Sequence, residues 1–209
     1  MNIENKIANF LLQIKAIKLE PASPFTWASG WKSPIYCDNR KTLAFPEIRT
    51  FIRDCFVKLI HEKFPSAEVI AGVATGAIAQ GALIADKMNL PFIYIRSTPK
   101  GHGLENLIEG YLEQGKKVVI IEDLISTGSS SLKAVEAVRQ AGAVVTGLVA
   151  IFTYGFKIAD DNFKNAGCLH YTLSNYEYLI KEAVSLNYID ESQIALLKAW
   201  RESPETWGK

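Results

Sequence analysis

Short runs of branched apolar residues alternate with helix-like segments from residue 68 to the C-terminus, and this alternation limits the possible folds more than any other feature. The runs are EVIAGV, PFIYIR, KVVIIE, VVTGLVAIF and CLHYTL. Near-continuous branched runs are typical of parallel strands that are buried on both faces by helices. We therefore predict an α/β protein with a doubly wound, mainly parallel sheet. With 209 residues, 48% of them apolar, the chain can form one such domain over residues 1–209.

Other segments predict helices around the sheet and an N-terminal subregion. Apolar residues at helical spacing predict helices over residues 3–18, from Pro46 onward, and over 129–141, 173–186 and 192–200. Residues 20–46 are rich in Ser, Pro, Gly and aromatic residues, which predicts short strands and turns, and we assign residues 1–45 to an N-terminal hood. The first half of the segment that separates PFIYIR from KVVIIE contains two glycines, a proline, a lysine and a histidine but almost no apolar residues, which predicts a mobile lid loop over residues 97–108.

Composition and charge disfavour several classes of function. The net charge is +1 and there is no basic block, so we expect neither a nucleic-acid surface nor a polybasic membrane anchor. The N-terminus lacks the uninterrupted apolar core of a signal peptide, and the longest apolar stretch, AGAVVTGLVAIF, is too short to span a bilayer. The three cysteines are widely spaced in apolar surroundings, which is typical of reduced thiols in a cytoplasmic protein and not of a zinc site.

Three predicted strands are followed by unusual residues, and ligands of a doubly wound sheet bind beyond the carboxyl ends of its strands. The segments are GVATGAIAQG, RSTPKGHG and EDLISTGSSS. In the last of them, Gly128 permits close backbone approach, and a helix N-terminus beside the hydroxyls of Thr127, Ser129 and Ser130 suits a phosphate monoester. The alternative interpretation is an ordinary serine-rich N-cap.

Two acids, Glu122 and Asp123, directly follow four apolar residues of the third run. They would repel a phosphate, so we expect them to face ribose hydroxyls or a divalent cation on a nearby pyrophosphate. The alternative of solvated turn acids is disfavoured, since an unpaired buried carboxylate is costly. GYLEQGKK has P-loop spacing, but Lys117 replaces the required Ser or Thr and the segment enters a strand, so it predicts a turn.

Taken together, these segments resemble a known family. VVIIEDLISTGSS is similar to the phosphoribosyl pyrophosphate (PRPP) signature of type I phosphoribosyltransferases, in which an apolar strand meets two acids and a small-residue loop. FTWASGWKSPIYCDNR resembles the N-terminal hood, and RSTPKGHG the lid, of the orotate phosphoribosyltransferases. AGVATGAIAQGALIADKMNLP and AIFTYGF extend the resemblance over nearly the whole chain. It implies the type I phosphoribosyltransferase fold and the displacement of pyrophosphate from PRPP by N1 of orotate.

The resemblance also implies roles for individual residues. Glu122 and Asp123 would hold the ribose 2- and 3-hydroxyls, residues 126–130 would surround the 5-phosphate, and His102 of the lid could donate a proton to the leaving pyrophosphate. The implied PRPP-binding residues are Arg96, Lys100, His102, Glu122, Asp123, Leu124, Ile125, Ser126, Thr127, Gly128, Ser129 and Ser130. The implied catalytic residues are Lys100, His102 and Asp123.

The base, the cofactor and the assembly follow from the same resemblance. Ser126 is implied to contact orotate, whereas Lys32 of the hood could meet the orotate carboxylate, the pyrophosphate or only solvent. The implied cofactor is Mg²⁺, held mainly through the pyrophosphate of PRPP without a direct protein ligand. A two-fold homodimer with lids shared between subunits is also implied. Ser97 and Ala28 replace lysines found in other members, which lowers the positive charge expected at the pyrophosphate.

Two other functions are compatible with parts of this pattern. A phosphoribosyltransferase for a purine or uracil would share the PRPP signature, but the N-terminal position and sequence of the hood favour orotate. A nucleotide-sensing regulator of the same fold would bind RNA or DNA through a basic face and would not need Lys100 or His102. The net charge of +1 and the intact lid sequence disfavour that regulator.

Overall fold

The computed structural model describes residues 2–27, 29–98 and 107–208, which form seven α-helices and ten strands. The N-terminal elements are α1 (Ile3–Gln13), β1 (Ile17–Leu19), β2 (Phe25–Thr26), β3 (Lys32–Ser33), β4 (Ile35–Cys37), a 3-10 helix (Asn39–Ala44) and α2 (Pro46–Lys63). The remaining elements are β5 (Val69–Val73), α3 (Ile78–Met88), β6 (Phe92–Ile95), β7 (Ile108–Glu109), β8 (Lys117–Ile125), α4 (Ser129–Gln140), β9 (Val144–Thr153), α5 (Lys157–Asn165), β10 (His170–Asn175), α6 (Tyr176–Ser185), a second 3-10 helix (Glu191–Gln193) and α7 (Ile194–Glu202). None of the described helices is both long and apolar enough to cross a membrane.

The central sheet has six strands in the order β10-β9-β8-β5-β6-β7. All neighbouring strands are parallel except β6 and β7, which are antiparallel. The strand order reverses between β5 and β8. After β5, the chain adds β6 and β7 on one side of it, and then adds β8, β9 and β10 on the other side. This is the doubly wound arrangement with one topological switch point. The predicted fold class is therefore confirmed.

The apolar run of β8 is continuous because both faces of the sheet are covered. Val119 and Ile121 belong to a core shared with α1, α2, α3 and α6. Val118 and Ile120 belong to a second core, shared with α4 and α5 on the other face. Successive side chains of a strand point to opposite faces, so all four residues are fully buried.

Two predicted boundaries are wrong, each for a local reason. The helix predicted over residues 3–18 ends at Gln13, because the backbone is left-handed at Lys15 (φ 54°), and Ile17 instead pairs with Cys37 in a strand. The strand that carries the two acids does not end at them. It continues to Ile125, because it remains paired with β9 after its pairing with β5 has ended.

The N-terminal strands form two small antiparallel pairs, β1 with β4 and β2 with β3, that pack on the carboxyl edge of the central sheet. The Trp27 ring stacks on Tyr154 at 5.2 Å and meets Trp200 edge-on at 5.7 Å. Closer to the acids, the Asn39 side-chain amide donates a hydrogen bond to the Asp123 carbonyl at 2.6 Å. The segment that we predicted to be a hood thus lies where a ligand of the sheet would bind.

The predicted lid, residues 97–108, lies largely outside the described residues, as do Lys100 and His102. Its C-terminal end is described and is held in place. Leu107 is buried, and its carbonyl accepts a hydrogen bond from the Arg96 N–H at 2.8 Å. The mobility of the loop remains a prediction, but its predicted last residue, Ile108, already belongs to strand β7.

Candidate active site

A cavity of about 1000 Å³ lies beyond the carboxyl ends of β5 and β8, at the point where the strand order reverses. Loops leave a doubly wound sheet toward opposite faces at this point, which opens a crevice for a ligand. The cavity is lined by Ser29 of the hood, Val73, Ala74, Thr75, Gly76, Arg96, Ser97, Leu107, Glu122, Asp123, Leu124, Ser126, Thr127, Gly128, Ser129, Ser130, Lys133 and Ala134. The fold thus brings together the three segments singled out in the sequence.

Glu122 is almost fully buried, with 4% of its surface exposed, and the protein supplies hydrogen bonds to both of its oxygens. The Asp123 N–H donates to Oε1 at 3.1 Å, and the Ser131 hydroxyl donates to Oε2 at 2.9 Å. Burial raises the pKa of Glu122 well above its ordinary value, and the adjacent Asp123 charge raises it further. The Ser131 hydroxyl acts in the opposite direction and lowers that pKa. The Ser131 hydroxyl therefore favours the ionised form of Glu122.

The carboxylate of Asp123 packs directly against Gly76, across the switch point. A Cβ atom at Gly76 would overlap the Asp123 carboxyl group, so only glycine leaves room for it in this position. Burial raises the pKa of Asp123, and the hydrogen bond with Glu122 lowers it. The segment GVATGAIAQG also predicts that the Gly76 backbone amide contacts a second phosphate group, and that contact remains a prediction. The structure adds a second role, which is to provide space for the acid.

Residues 126–130, which we call the phosphate loop, lead into the N-terminus of α4. The residue before the helix is Gly128, whose φ of 81° favours glycine, and no side chain among the described residues caps the helix. The alternative of an ordinary serine N-cap therefore does not apply here. The first N–H groups of a twelve-residue helix face a cavity that also contains Lys133. Such a helix start provides hydrogen-bond donors and partial positive charge for an anion.

Comparison with known proteins identifies the family. A model described as "Phosphoribosyl transferase domain" matches residues 42–181. The chain is 58% identical to an orotate phosphoribosyltransferase of Cytophaga hutchinsonii over 209 residues, which is the full length of both chains. It is 60% identical to an orotate phosphoribosyltransferase of Bacteroides thetaiotaomicron, over 99% of this chain and 97% of that one. The chain belongs to the orotate phosphoribosyltransferase family.

Solved structures agree on the fold. The orotate phosphoribosyltransferase from Aeropyrum pernix superposes with a TM-score of 0.76 at 24% identity, covering 88% of this chain and 99% of that chain. A Leishmania donovani UMP synthase structure gives a TM-score of 0.80 at 27% identity, covering 95% of this chain and 42% of that one. The resemblance to the orotate phosphoribosyltransferase family that we inferred from the sequence is confirmed.

Arg96, which the family resemblance implies to bind PRPP, lies at the end of β6 and lines the cavity. Its Nη1 donates to the Glu109 carboxylate at 3.4 Å, and both side chains are partly buried. Glu109 belongs to the edge strand β7, which follows the predicted lid in the chain. The two ends of the lid are therefore joined beside the cavity by this ion pair and by the backbone hydrogen bond from Arg96 to Leu107.

Two predicted site residues, Lys32 and Ile125, have less support from the geometry. Lys32 is exposed, its Nζ donates to Thr26 Oγ1 at 2.9 Å, and it does not line the cavity. The Ile125 side chain is fully buried in the core formed with α4 and α5, so only its backbone is available to a ligand. Ala28, which replaces a family lysine, lies outside the described residues. The contacts predicted for Lys32 and Ile125 remain predictions.

Sequence reasoning missed Ser131 and Lys133. Both lie in the first turns of α4, and the run SSSLK that contains them continues directly from the phosphate loop. Residues three or four positions apart share a helix face, so Lys133 is placed on the same side as Ser129 and Ser130. Helical spacing could have pointed to Lys133. The contact between Ser131 and Glu122 depends on how α4 packs on β8 and has no signal in the sequence.

A second cavity, of about 550 Å³, lies far from this chemistry in the C-terminal part of the chain. Its described lining comes entirely from α6 and α7, with an apolar floor that includes Ile180, Val184 and Ile194. It lacks the acids, the glycine-containing loop and the strand ends that define the first cavity. The cavity at the switch point is therefore the candidate active site.

Proposed function

We propose that this chain catalyses transfer of the ribose 5-phosphate group from PRPP to N1 of orotate, in the biosynthesis of pyrimidine nucleotides. The bond between C1 and the pyrophosphate oxygen breaks, a bond between C1 and N1 forms with inversion, and pyrophosphate leaves. The observation that carries the proposal is the pair of acids beside the phosphate loop in one cavity, in a chain of the orotate phosphoribosyltransferase family. A cytoplasmic location is also part of the proposal. It is supported by the three free cysteines among the described residues, because thiols remain reduced in that compartment.

The acids and the loop divide the recognition of PRPP between them. Asp123, with Glu122 behind it, faces the ribose hydroxyls, because a carboxylate is an acceptor for two hydroxyl donors. The phosphate loop takes the 5-phosphate on the N–H groups at the start of α4, with the positive charge of Lys133 nearby. Positive charge develops on the ribose ring as the bond to pyrophosphate breaks. The acids stabilise that charge, so Asp123 serves catalysis as well as binding.

Arg96, Lys100 and His102 are assigned to the pyrophosphate. Negative charge increases on this group as it departs, and cations placed before the reaction stabilise it without reorganisation. His102 is the proton donor in this assignment, provided that the adjacent phosphates favour its charged form. Arg96 lines the cavity, and the two lid residues are assigned from the sequence alone. Ser126, which also lines the cavity, is assigned to orotate.

Mg²⁺ is part of the proposal as an ion that PRPP carries into the site. Proteins commonly bind Mg²⁺ through a substrate phosphate and few side chains, and the ion keeps several waters. Within residues 2–27, 29–98 and 107–208, no group of three or more His, Cys, Asp or Glu side chains is placed to hold a metal ion. In this proposal the ion is held mainly by the pyrophosphate of PRPP. When bound, it supplies positive charge to the leaving group.

The first test of the proposal is the loss of the ultraviolet absorbance of orotate. Mixing the protein with orotate, PRPP and Mg²⁺ should give a progressive loss, and leaving out either PRPP or Mg²⁺ should stop it. Adenine and uracil supplied in place of orotate should not be consumed. If orotate is stable in the complete mixture while one of the other bases is consumed, the chain keeps the phosphoribosyl transfer but the assignment of orotate is wrong.

Ser131→Ala should shift the pH dependence of the reaction. Removing the hydroxyl raises the pKa of Glu122 further, so a smaller fraction is ionised at a given pH. We expect the acidic limb of kcat/KM to move up by about one pH unit, the equivalent of one hydrogen bond to a charged group. The plateau at higher pH should change little. Ser131→Thr keeps the hydroxyl and serves as the control, and an unshifted limb in Ser131→Ala would show that this hydroxyl does not tune Glu122.

The shared lid of the proposed homodimer predicts recovery of activity in mixed dimers. Lys100→Ala and Asp123→Asn proteins should each be strongly impaired, since every site in either homodimer lacks one essential group. Random re-pairing makes about half the dimers mixed, and two-fold symmetry gives each mixed dimer one site with both groups. Dissociating and reassembling an equal mixture should therefore restore about a quarter of the unaltered rate.

A lid that acts within its own chain gives a different result. Each chain of a mixed dimer would still carry its own defect, and the mixture would stay at the rate of the separate variants. Subunit exchange must be confirmed independently, for example by native mass spectrometry of a mixture in which one variant carries a mass tag. Confirmed exchange without recovery would reject the shared lid.

A further inference from the structure

Helix α5 contacts the phosphate loop, although none of its residues is among those that line the cavity. The side-chain amide of Asn162 donates a hydrogen bond to the Thr127 carbonyl at 3.0 Å. Asn162 and Thr127 are 35 positions apart in the sequence, and the bond spans from the middle of α5 to the turn that precedes α4. Nothing in the motif of the loop itself indicates this contact.

The hydrogen bond fixes the orientation of one peptide group in the loop. The Thr127 carbonyl and the Gly128 N–H belong to the same planar peptide, and in a trans peptide these two groups point in opposite directions. Because Asn162 holds the carbonyl toward α5, the Gly128 N–H is directed away from α5. Thr127 and Gly128 both line the cavity, whereas no residue of α5 does, so we infer that the N–H is on the cavity side of the turn. The N–H is thus available to an anion in the loop.

Without such a contact, this peptide could turn over. Gly128 has a φ of 81°, and glycine adopts positive and negative φ with similar ease, so the peptide before it can rotate at little steric cost. Rotation would place the Thr127 carbonyl oxygen, instead of an N–H, toward the cavity. An oxygen in that place would repel a phosphate. One orientation must therefore be stabilised if the loop is to bind an anion.

A second residue of α5 packs under the same turn. A Cβ atom at Gly128 would lie 2.9 Å from the Phe163 ring, so the ring leaves space only for glycine. Phe163 is buried and stacks on His170 of β10 at a ring separation of 4.1 Å. The ring and the amide of Asn162 are adjacent on α5, and both contact the Thr127–Gly128 turn. The helix thus provides a rigid base for the loop.

We propose that Asn162 is a positioning residue for the 5-phosphate of PRPP, acting through the Thr127 carbonyl to present the Gly128 N–H to the phosphate. The inference rests on the proposed function, since it concerns the same substrate. It adds a determinant outside the PRPP signature. Asn162 does not contact the substrate in this arrangement, so its effect should appear in the binding of the 5-phosphate and not in that of the pyrophosphate.

The test uses two ligands that each carry one end of PRPP. Calorimetric titration with ribose 5-phosphate probes the loop, and titration with pyrophosphate and Mg²⁺ probes the other end. Asn162→Ala and the similarly sized Asn162→Leu remove the donor while keeping residues that favour a helix. We expect the Kd for ribose 5-phosphate to rise about tenfold, and the KM for PRPP likewise with little change in kcat. The Kd for pyrophosphate should not change.

A control and three outcomes decide the matter. Asn165→Ala changes an exposed asparagine on the same helix and should leave both affinities unaltered. Unchanged affinity for ribose 5-phosphate in a folded Asn162→Ala protein would overturn the inference. An equal loss for both ligands, or a loss that follows a fall in Tm, would show a merely structural role and also overturn it. If the unaltered protein binds neither ligand, the proposed function fails first, and the inference with it.

Discussion

Replacing Asp123 with asparagine should leave the protein folded and lower kcat/KM for PRPP about a hundredfold, because a hydrogen bond to a charged group contributes about 1.5–3 kcal/mol. Asparagine keeps the shape of the side chain, but its neutral amide cannot offset positive charge on the ribose ring, and one of its two acceptors becomes a donor. The loss should appear in kcat as well as in KM, since this charge develops only in the transition state. Initial rates over a range of PRPP concentrations measure both.

The Tm of the Asp123→Asn protein provides an independent test of the environment of this acid. Folding raises the pKa of Asp123, so its ionised form costs stability at every pH above the unfolded-state pKa. Asparagine carries no charge and does not incur that cost, so the Tm near pH 8 should equal or exceed that of the unaltered protein. Asp54→Asn removes a charge from the exposed face of α2 and should change neither quantity appreciably. Full activity in folded Asp123→Asn protein would contradict the assignment of this acid to ribose.

The fold could be predicted because its signals are local. The branched runs of β5, β8 and β9 are buried on both faces over most of their length, and that burial is visible in the composition of each run by itself. The N-terminal helix shows where this reasoning fails. Ile17 continues the helical spacing, yet it is fully buried in a strand after the left-handed turn at Lys15. A buried apolar residue is compatible with both helical and strand periodicity, so periodicity alone could not place the C-terminal end of the first helix.

The candidate site was predictable to the extent that it lies in continuous segments. The acids and the phosphate loop are adjacent in the chain, and the rule for strand ends placed them at one edge of the sheet. The residues that hold the acids and the phosphate loop in position are distant from them in the sequence. Asn39 reaches the carbonyl of Asp123 across 84 positions, and Asn162 reaches Thr127 across 35. A single sequence carries no signal for such pairs. They follow from how the hood and α5 pack on the sheet.

Gly76→Ala should be nearly as damaging as the loss of the acid itself, with kcat/KM about a hundredfold lower, because it displaces a carboxylate whose hydrogen bonds contribute about 1.5–3 kcal/mol each. The Gly76 backbone does not adopt a positive φ, so alanine is compatible with its conformation. What its Cβ meets is the carboxyl group of Asp123. A side-chain end moves more easily than backbone, so the fold should persist while Asp123 swings away from the ribose.

A matched glycine separates this effect from general crowding. Gly81 lies in α3, and a Cβ there would come within 2.8 Å of the Phe92 ring, which is also a side chain. Gly81→Ala should therefore lower Tm through overpacking, while the folded protein keeps its kcat/KM. Gly76→Ala should show the reverse, with a large kinetic loss and a small change in Tm. The two variants add the same methyl group and differ in which neighbour must move.

A double-mutant cycle decides whether Gly76 acts through Asp123. If the glycine serves only to make room for the carboxylate, adding Gly76→Ala to Asp123→Asn should cause little further loss, since the interaction has already been removed. If a second phosphate group also approaches the Gly76 N–H closely, the added methyl group would obstruct that approach even without the acid, and the two losses should multiply. Measuring kcat/KM for the four proteins under one set of conditions distinguishes these results. A Gly76→Ala protein within twofold of the unaltered rate would refute both roles, because the cavity would then tolerate a side chain at the switch point.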